Sequence, residues 1–490
     1  MLSILDLIEM NLFEQVKILD SSLIKKLEKL AMDSIDYWDL RCGIGTGSML
    51  DFTNQKSKEV ASYDSIDLGI RTFKNGGWGF LVLKEINRNR IIKSFKRAIK
   101  LAKFSESLCK TKFQIREQNP IQENFEIKPK EDIKDVDIEV KIDLVKEHEK
   151  TATDYSDKIK NTRTIYMDSQ VKKLFFNSWG SHIQQDLSLL RLYSIVYSQE
   201  NQILQKSSNS IGGLGGFEIS KTSKAENISK KSAKEAVELL RAKSPSGGKF
   251  TVIMDPKLTG TFIHEAFGHA AEADHILNKE SILEGKIGKK VALENVTITD
   301  NPQLGQGKKY GLPYELYGSY FVDDEGIPSR ETKIIQNGIL KNYLHNLETA
   351  SRMDKDPNGH GRASSAASYP QVRMGITTLE SGDWNLDEMI SETKNGVLCK
   401  DFQYGYCDPS TGNFQFKCKL SYRIENGKKK EMMRDVALSG MTLEVLNRIS
   451  ALGKNVDYSD GHCGKGGQSV RVCDGGPYLR ADNITVGGLN

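Results

Sequence analysis

Between Thr261 and His275 the chain reads TFIHEAFGHAAEADH. Three of its eight histidines fall in this stretch, with carboxylates at Glu265, Glu272 and Asp274 and another at Asp255 just upstream. The alanines and the absence of proline predict a helix. Neutral imidazole is the commonest protein ligand for zinc, and a carboxylate beside such a ligand can take a proton from metal-bound water. His264-Glu265 therefore reads as ligand and base. The familiar zinc helix spaces its histidines i and i+4, whereas His264 and His269 are i and i+5. At about 100° per residue, five steps leave the second ring about 140° from the first, too far round a regular helix to share one ion. A local π-bulge would restore the alignment, and Gly268 would ease it. The plain alternative is a pair of hydrogen-bonded histidines in a buried alanine-rich helix.

Working outward, Phe250 to Met254 predicts a short strand entering the helix, and the residues after it form many β-like segments divided by glycine turns. Upstream, Ser232 to Ala242 is helical and runs into Ser244-Pro245-Ser246-Gly247-Gly248, which places a domain boundary there: 1–245 and 246–490. In the first part, Leu23 to Ile35 has helical apolar spacing. Tyr37 to Thr53, Ser57 to Tyr63, Ser65 to Lys74 and Trp78 to Lys84 read as an antiparallel meander, with Asn75-Gly76-Gly77 as a turn. Ile86 to Phe104 and Val136 to Ile159 predict helices. Gln114 to Lys134, with two prolines and many charges, predicts a connector, and Thr162 to Ser178 and Ser181 to Gln199 predict two strands. The expected class is α+β with two domains: a mixed helix and antiparallel-sheet domain, then a β-rich domain with the metal helix embedded. No internal repeat of fixed period is present.

The bulk properties exclude several classes. With 490 residues the chain exceeds the usual size of one hydrophobic core. Its 69 basic and 65 acidic side chains leave a charge of +4, too small an excess to imply nucleic acid or a membrane surface. Met1 to Phe13 carries Asp6 and Glu9 and has no basic n-region, so no signal peptide is expected, and no apolar run is long enough to span a bilayer. Seven scattered cysteines fit reduced thiols in a cytoplasm, with Cys407 and Cys418 as one conceivable pair.

The segment HEAFGHAAEAD resembles the HEAxGHxxExD motif of the TldD branch of the TldD/PmbA family, matching at His264, Glu265, Ala266, Gly268, His269, Glu272 and Asp274. The likeness continues in VDDEGIPS (Val322 to Ser329), QNGIL (Gln336 to Leu340), GHGRASSAASYPQVRMGITTLESGDW (Gly359 to Trp384), CGKGGQSVRV (Cys463 to Val472) and ITVGG (Ile484 to Gly488). It is weaker in LGIRTFKNGGWGF (Leu68 to Phe80) and IGGLGGFE (Ile211 to Glu218). The resemblance implies a zinc peptidase in which His264, His269 and Cys463 hold the metal and Glu265 is the general base. It also implies extended or unfolded peptides as substrates, taken up along a sheet edge, and a non-catalytic PmbA-like paralogue as heterodimer partner, with a homodimer as the fallback. Two imidazoles and a thiolate leave zinc an open fourth position. Cys463 reads as part of a glycine-rich loop, Gly461 to Gly467, able to bring backbone close to a buried ion. Without the family motif, Glu272, three residues after His269, would be the natural third ligand; with it, Glu272 becomes a support for an imidazole.

Other candidates are weaker. Gly212 to Gly216 lacks the Lys-Ser/Thr of a phosphate loop and reads as a turn or cleft wall. Arg362 can anchor a substrate carboxylate or carbonyl, or be an ordinary interface arginine. His275, His360 and His462 lie near the site segments as lone histidines. Cys399, Cys407, Cys418 and Cys473 form no CxxC pair. Two rivals to the peptidase follow: a peptide-binding subunit with structural zinc, and a metal-free hydrolase using Cys463 as nucleophile with His462 or another histidine as base.

Overall fold

The computed structural model describes residues 16–488, so the segment read for a signal peptide lies outside the described residues. Helix α1 (Ser21–Ala31) is capped by Asp20 and buries Leu23 and Leu27. Strands β1 (Tyr37–Thr53) and β2 (Lys56–Lys74) form one long hairpin, reversing at Asn54 and Gln55, both at positive φ. Sequence periodicity divides β2 at Asp64, but pairing with β1 runs through that point, Tyr63 against Gly47 and Asp64 against Thr46. The alternation is lost there because the outer half of β2 is exposed on both faces. β3 (Gly77–Leu83) completes the meander, and α2 (Arg88–Leu108) lays Ile91, Phe95 and Ala98 against Trp38, Leu40 and Ile70.

The 114–134 connector contains a short strand, β4 (Gln122–Glu126), parallel to residues 182–186. After α3 (Ile138–Thr153) come β5 (Ile159–Asn177), β6 (His182–Glu200) and β7 (Ile203–Leu214); the last has no counterpart in the sequence expectation. The eight-stranded sheet runs Glu315–Leu316, β7, β6, β5, β1, β2, β3, with β4 beside β6. Gly212 and Gly213 are extended residues of β7, with Gly213 paired to Leu190 and Leu316, so the glycine run is strand rather than phosphate loop. Helix α4 (Ile228–Leu239) packs with α3 over β5 to β7.

From β8 (Gly248–Met254) the architecture changes. β8 lies between Asn395–Cys407, parallel to it, and Leu479–Gly488, antiparallel. Pairing proceeds through Val436–Met441 to Asn413–Glu425, which returns to Asn395–Cys407 and closes a small β-barrel. A separate six-stranded sheet contains Ile298–Asp300, Ile376–Leu379 and the hairpin Asp457–Lys465/Gln468–Gly476. The histidine helix lies between barrel and sheet. Its Phe262 ring is 5.3 Å from that of Phe414, and Phe267 and Ala270 share a core with Met374, Val470 and Val472. The fold is α+β, with the histidine helix embedded in the β-rich part. Cys407 and Cys418 stay free, facing Phe414 and Phe402 across the strand pair. Among the described residues, no helix is long and apolar enough to cross a membrane.

Candidate metal centre

Helix α5 (Pro256–Phe262) starts on Asp255, whose carboxylate accepts from the Leu258 amide, with proline at the first position where no N–H is needed. It continues into a π-helical turn over Ile263–Gly268, the His269 amide bonding back to the His264 carbonyl, and then a 3₁₀ turn over His269–Ala271. The i to i+5 turn puts His264 and His269 on one side, ring centroids 5.2 Å apart and nearly perpendicular. Gly268 has ordinary helical angles, φ −57° and ψ −47°. Its role is space: a Cβ there would lie 2.1 Å from the Met374 sulfur. The conformational easing expected of this glycine is therefore replaced by a packing requirement.

Cys463 comes from a different direction. The sequence places it in a glycine-rich loop, but it is a residue of strand Asp457–Lys465, paired with Val470; only the turn at Gly466 and Gly467, both at positive φ, is loop. Its thiol is buried, and its Sγ is 3.5 Å from His269 Nε2. Ligating atoms of His264, His269 and Cys463 all lie within 4.8 Å of one another. Glu265 stands at the rim with its side chain 37% exposed, one oxygen 3.9 Å from His269 Nε2.

Each imidazole has a partner behind it. His269 Nδ1 is 2.9 Å from Glu272 Oε2, and His264 Nδ1 is 2.8 Å from Asp474 Oδ1, although that approach is not linear. Glu272 is fully buried and receives the Lys465 ammonium at 2.9 Å; Lys465 also reaches Asp274 and the Val372 carbonyl. Glu272 thus backs His269 and stands outside the three-residue cluster. Arg373 donates to the Cys463 carbonyl, fixing the strand at that residue. Asp474, Lys465, Arg373 and Met374 are not singled out by the sequence, although Arg373, Met374 and Lys465 fall within the family-like segments Gly359 to Trp384 and Cys463 to Val472, and Asp474 follows closely.

Burial works against charge on all of these groups, yet the neighbours prevail. Asp474 and Cys463 hold His264 well above the usual imidazole range, and Glu272 and Cys463 take His269 up to about 10. The two imidazoles bring the Cys463 thiol down to about 5, and His269 and Lys465 bring Glu272 down to about 2. The enclosed groups favour a thiolate beside protonated rings, so positive charge gathers among the three donors. A divalent cation there would displace those ring protons, and two nitrogens, one thiolate and an accessible side are a donor set zinc accepts.

The remaining candidates lie apart. His360 is buried between Asp300 Oδ1 (3.1 Å) and Asn358 Oδ1 (3.0 Å), and His275 is 3.6 Å from Glu272. His462 follows Cys463's strand but on the opposite face, with Nδ1 2.6 Å from Arg191 and Nε2 3.3 Å from the Tyr317 hydroxyl. It cannot serve Cys463 as a base. Arg362 is buried in the wall of a separate cavity, donating to the carbonyls of Met374 and Arg471 and lying 4.6 Å over the Tyr320 ring.

Comparison with known proteins agrees over almost the whole chain. Residues 38–102, 131–243 and 247–488 match the models for PmbA/TldA metallopeptidase domain 1, central domain and C-terminal domain. A metalloprotease of Methanocaldococcus jannaschii is 37% identical over 93% of this chain and 98% of its own. A zinc metalloprotease TldD homolog of Saccharolobus solfataricus is 31% identical over 67% of this chain and 72% of its own. The crystal structure of TldE from Thermococcus kodakarensis superposes with a TM-score of 0.73 at 17% identity, covering 95% of this chain and all of that one, a likeness of fold. With the three domain models in order and relatives this similar along their length, the chain belongs to the TldD/PmbA family.

Proposed function

We propose that this chain is a zinc-dependent peptidase acting on extended or unfolded polypeptide, assembled with a PmbA-like paralogue that lacks the histidine pair or, failing that, with a second copy of itself. The carrying observation is the convergence of His264, His269 and Cys463, from stretches nearly two hundred residues apart in sequence, with Glu265 on their accessible side. The names of the relatives support the same class. Zinc held by those three residues would supply a Lewis acid and a bound water acidic enough to ionise near neutrality. Glu265 takes the water's proton and returns it to the departing amine. Glu272 and Asp474 engage the outer ring nitrogens and keep the imidazoles turned inward. Lys465 compensates the Glu272 charge, which would otherwise be costly to bury.

A strand edge beside the centre supports an extended substrate. Asn395–Cys407 pairs with β8 only from Gly396 to Cys399, while its other edge stays paired to Asn413–Glu425 as far as Cys407. Cys407 Sγ lies 3.8 Å from the Ala266 carbonyl in the π turn. A peptide added along the unpaired stretch would be held by its own backbone groups, which a folded protein has already satisfied.

One observation favours a second reading: the 3.5 Å contact of Cys463 Sγ with His269 Nε2 is also a thiol–imidazole pair of nucleophilic type. The test measures zinc and hydrolysis of a permanently unfolded protein, in wild type and in His264→Ala and Cys463→Ala variants of verified fold. Loss of zinc and activity together in both is expected. Turnover that survives complete chelation would transfer the chemistry to Cys463. Zinc retained in the Cys463 variant would remove it from the ligand set. Zinc retained with full turnover in Glu265→Gln would remove Glu265 from the role of base.

A further inference from the structure

The hairpin that carries Cys463 has a second face. Along Gln468–Gly476, Val470 and Val472 turn to the core that holds Cys463. The alternate residues Ser469 and Arg471, with His462 from the partner strand, line a cavity of about 230 Å³. Its far wall is the exposed end of the first sheet, Ser169, Lys173 and Gln185 from β5 and β6 among it, so the cavity lies between the sheet and the C-terminal hairpin. An adjoining cavity of about 170 Å³ shares Ser169, Lys173 and Asp324 with it. No residue of the His264, His269 and Cys463 cluster lines either.

Charge in this cavity is unbalanced. In its wall Lys173 is paired with Asp324 at 2.9 Å, and behind His462 Arg191 is paired with Asp460 at 2.9 Å. Asp323 is turned away, its oxygens taken by the amides of Glu325, Ile327 and Gly361, and Asp324's second oxygen accepts from the Ala363 amide. Arg362 and Arg471 have no carboxylate within ion-pair distance among the described residues, and every bond they make is to a neutral carbonyl: Arg362 to Met374 and Arg471, Arg471 to Tyr317 and Ser319. Arg362 is 5% exposed; burial, and after it the proximity of Arg362, lowers the pKa of the Arg471 guanidinium. Two adjacent, enclosed guanidiniums without a counter-ion are costly, and a planar anion between them removes the cost through paired N–H donors.

We propose that this cavity is a binding site for a small molecule bearing a carboxylate, held by Arg471 and Arg362, with the Tyr317, Tyr320, Ser364 and Ser469 hydroxyls available to the rest of it. A carboxylate fits better than a phosphate because Asp324 also faces the space, and a second negative charge would meet it. The site is separate from the metal centre, and the inference does not depend on the peptidase reading.

The test is calorimetric titration of the intact protein with N-acetyl-alanyl-alanine, its C-terminal amide, and inorganic phosphate at neutral pH. Saturable binding of the acid is expected, with the amide weaker by about tenfold or more, the loss that a charged hydrogen-bonded pair typically causes. Arg471→Gln should weaken the acid by a similar factor. Ser469→Phe, which places a large side chain in the cavity and keeps both arginines, should abolish binding even if the arginine variant folds poorly. Absence of binding by the acid, equal binding of acid and amide, phosphate binding as tightly as the acid, or affinity unchanged in Ser469→Phe would each overturn the assignment.

Discussion

Two buried charge clusters in this molecule differ in what completes them. Around Arg71, one guanidinium lies between Asp39, bonded at 2.9 Å through Nε, and Glu325 at 2.7 Å, with the Trp78 ring 4.8 Å beneath it. All three charged side chains are at most 1% exposed, and the cation is the protein's own. Around His269 and Cys463 the donors converge on one another, while Lys465 is turned outward to Glu272 and Asp274 and Arg373 is bonded to the Cys463 carbonyl. The rim there is accessible at Glu265. The first cluster ties the 323–325 turn to the first sheet and has nothing further to bind. The second brings the ligating atoms of His264, His269 and Cys463 within 4.8 Å of one another and leaves one side open. Burial and perturbed ionisation are common to both, so neither marks function alone; ligating atoms that converge beside an accessible rim do.

If that contrast is right, substitutions in the two clusters should separate activity from stability. The largest effect is expected for Glu265→Gln: peptide hydrolysis lower by about 10² to 10⁴ with zinc content and melting temperature unchanged. Steady-state kinetics beside metal analysis checks it, and near-normal turnover would place the base elsewhere. Arg71→Met should do the reverse, costing about 3–5 kcal/mol because Asp39 and Glu325 are left buried without a partner. Denaturant unfolding reads this directly. An activity loss at unchanged stability would show that the Arg71 cluster is not the closed structural unit described.

Smaller effects sharpen the picture within the second cluster. Glu272→Gln should weaken zinc binding by about 10- to 100-fold without emptying the site, because the amide still reaches His269 but no longer raises its basicity. Competition with a chelator of known affinity measures it, and complete loss of zinc would promote Glu272 to a ligand. Gly268→Ala should destabilise by about 1–3 kcal/mol through the Met374 sulfur, and pairing it with Met374→Ala should restore part of that. If the double variant is no better, the glycine is required by the π turn itself.

Much of this was legible in the sequence, for definite reasons. The α+β class followed from periodicity, since most strands of the first sheet bury one face. The i to i+5 spacing of His264 and His269 calls for a π turn if the two rings are to share one ion, and the chain has one at that place. What failed was also physical. Exposure of the outer half of β2 on both faces erased the alternation that would have shown one long strand. β7 ends in glycines that carry no period, so it escaped notice. Clustered glycines made the Cys463 region look like loop, whereas only Gly466 and Gly467 need the turn. Lys465 and Glu272 meet across 193 positions, Arg71 and Glu325 across 254, and no local pattern encodes such pairings. The opposite facing of His462 and Cys463 required knowing that both sit on one strand.

The central claim is that His264, His269 and Cys463 together hold the metal, and cobalt substitution tests it most directly. A cobalt–thiolate bond gives an intense near-ultraviolet charge-transfer band that nitrogen and oxygen ligands do not. The account predicts this band in the wild-type protein and in Glu272→Gln, its disappearance in Cys463→Ser, and loss of bound cobalt in His264→Ala and His269→Ala. A cobalt protein without the band, or a band that survives in Cys463→Ser, would contradict it.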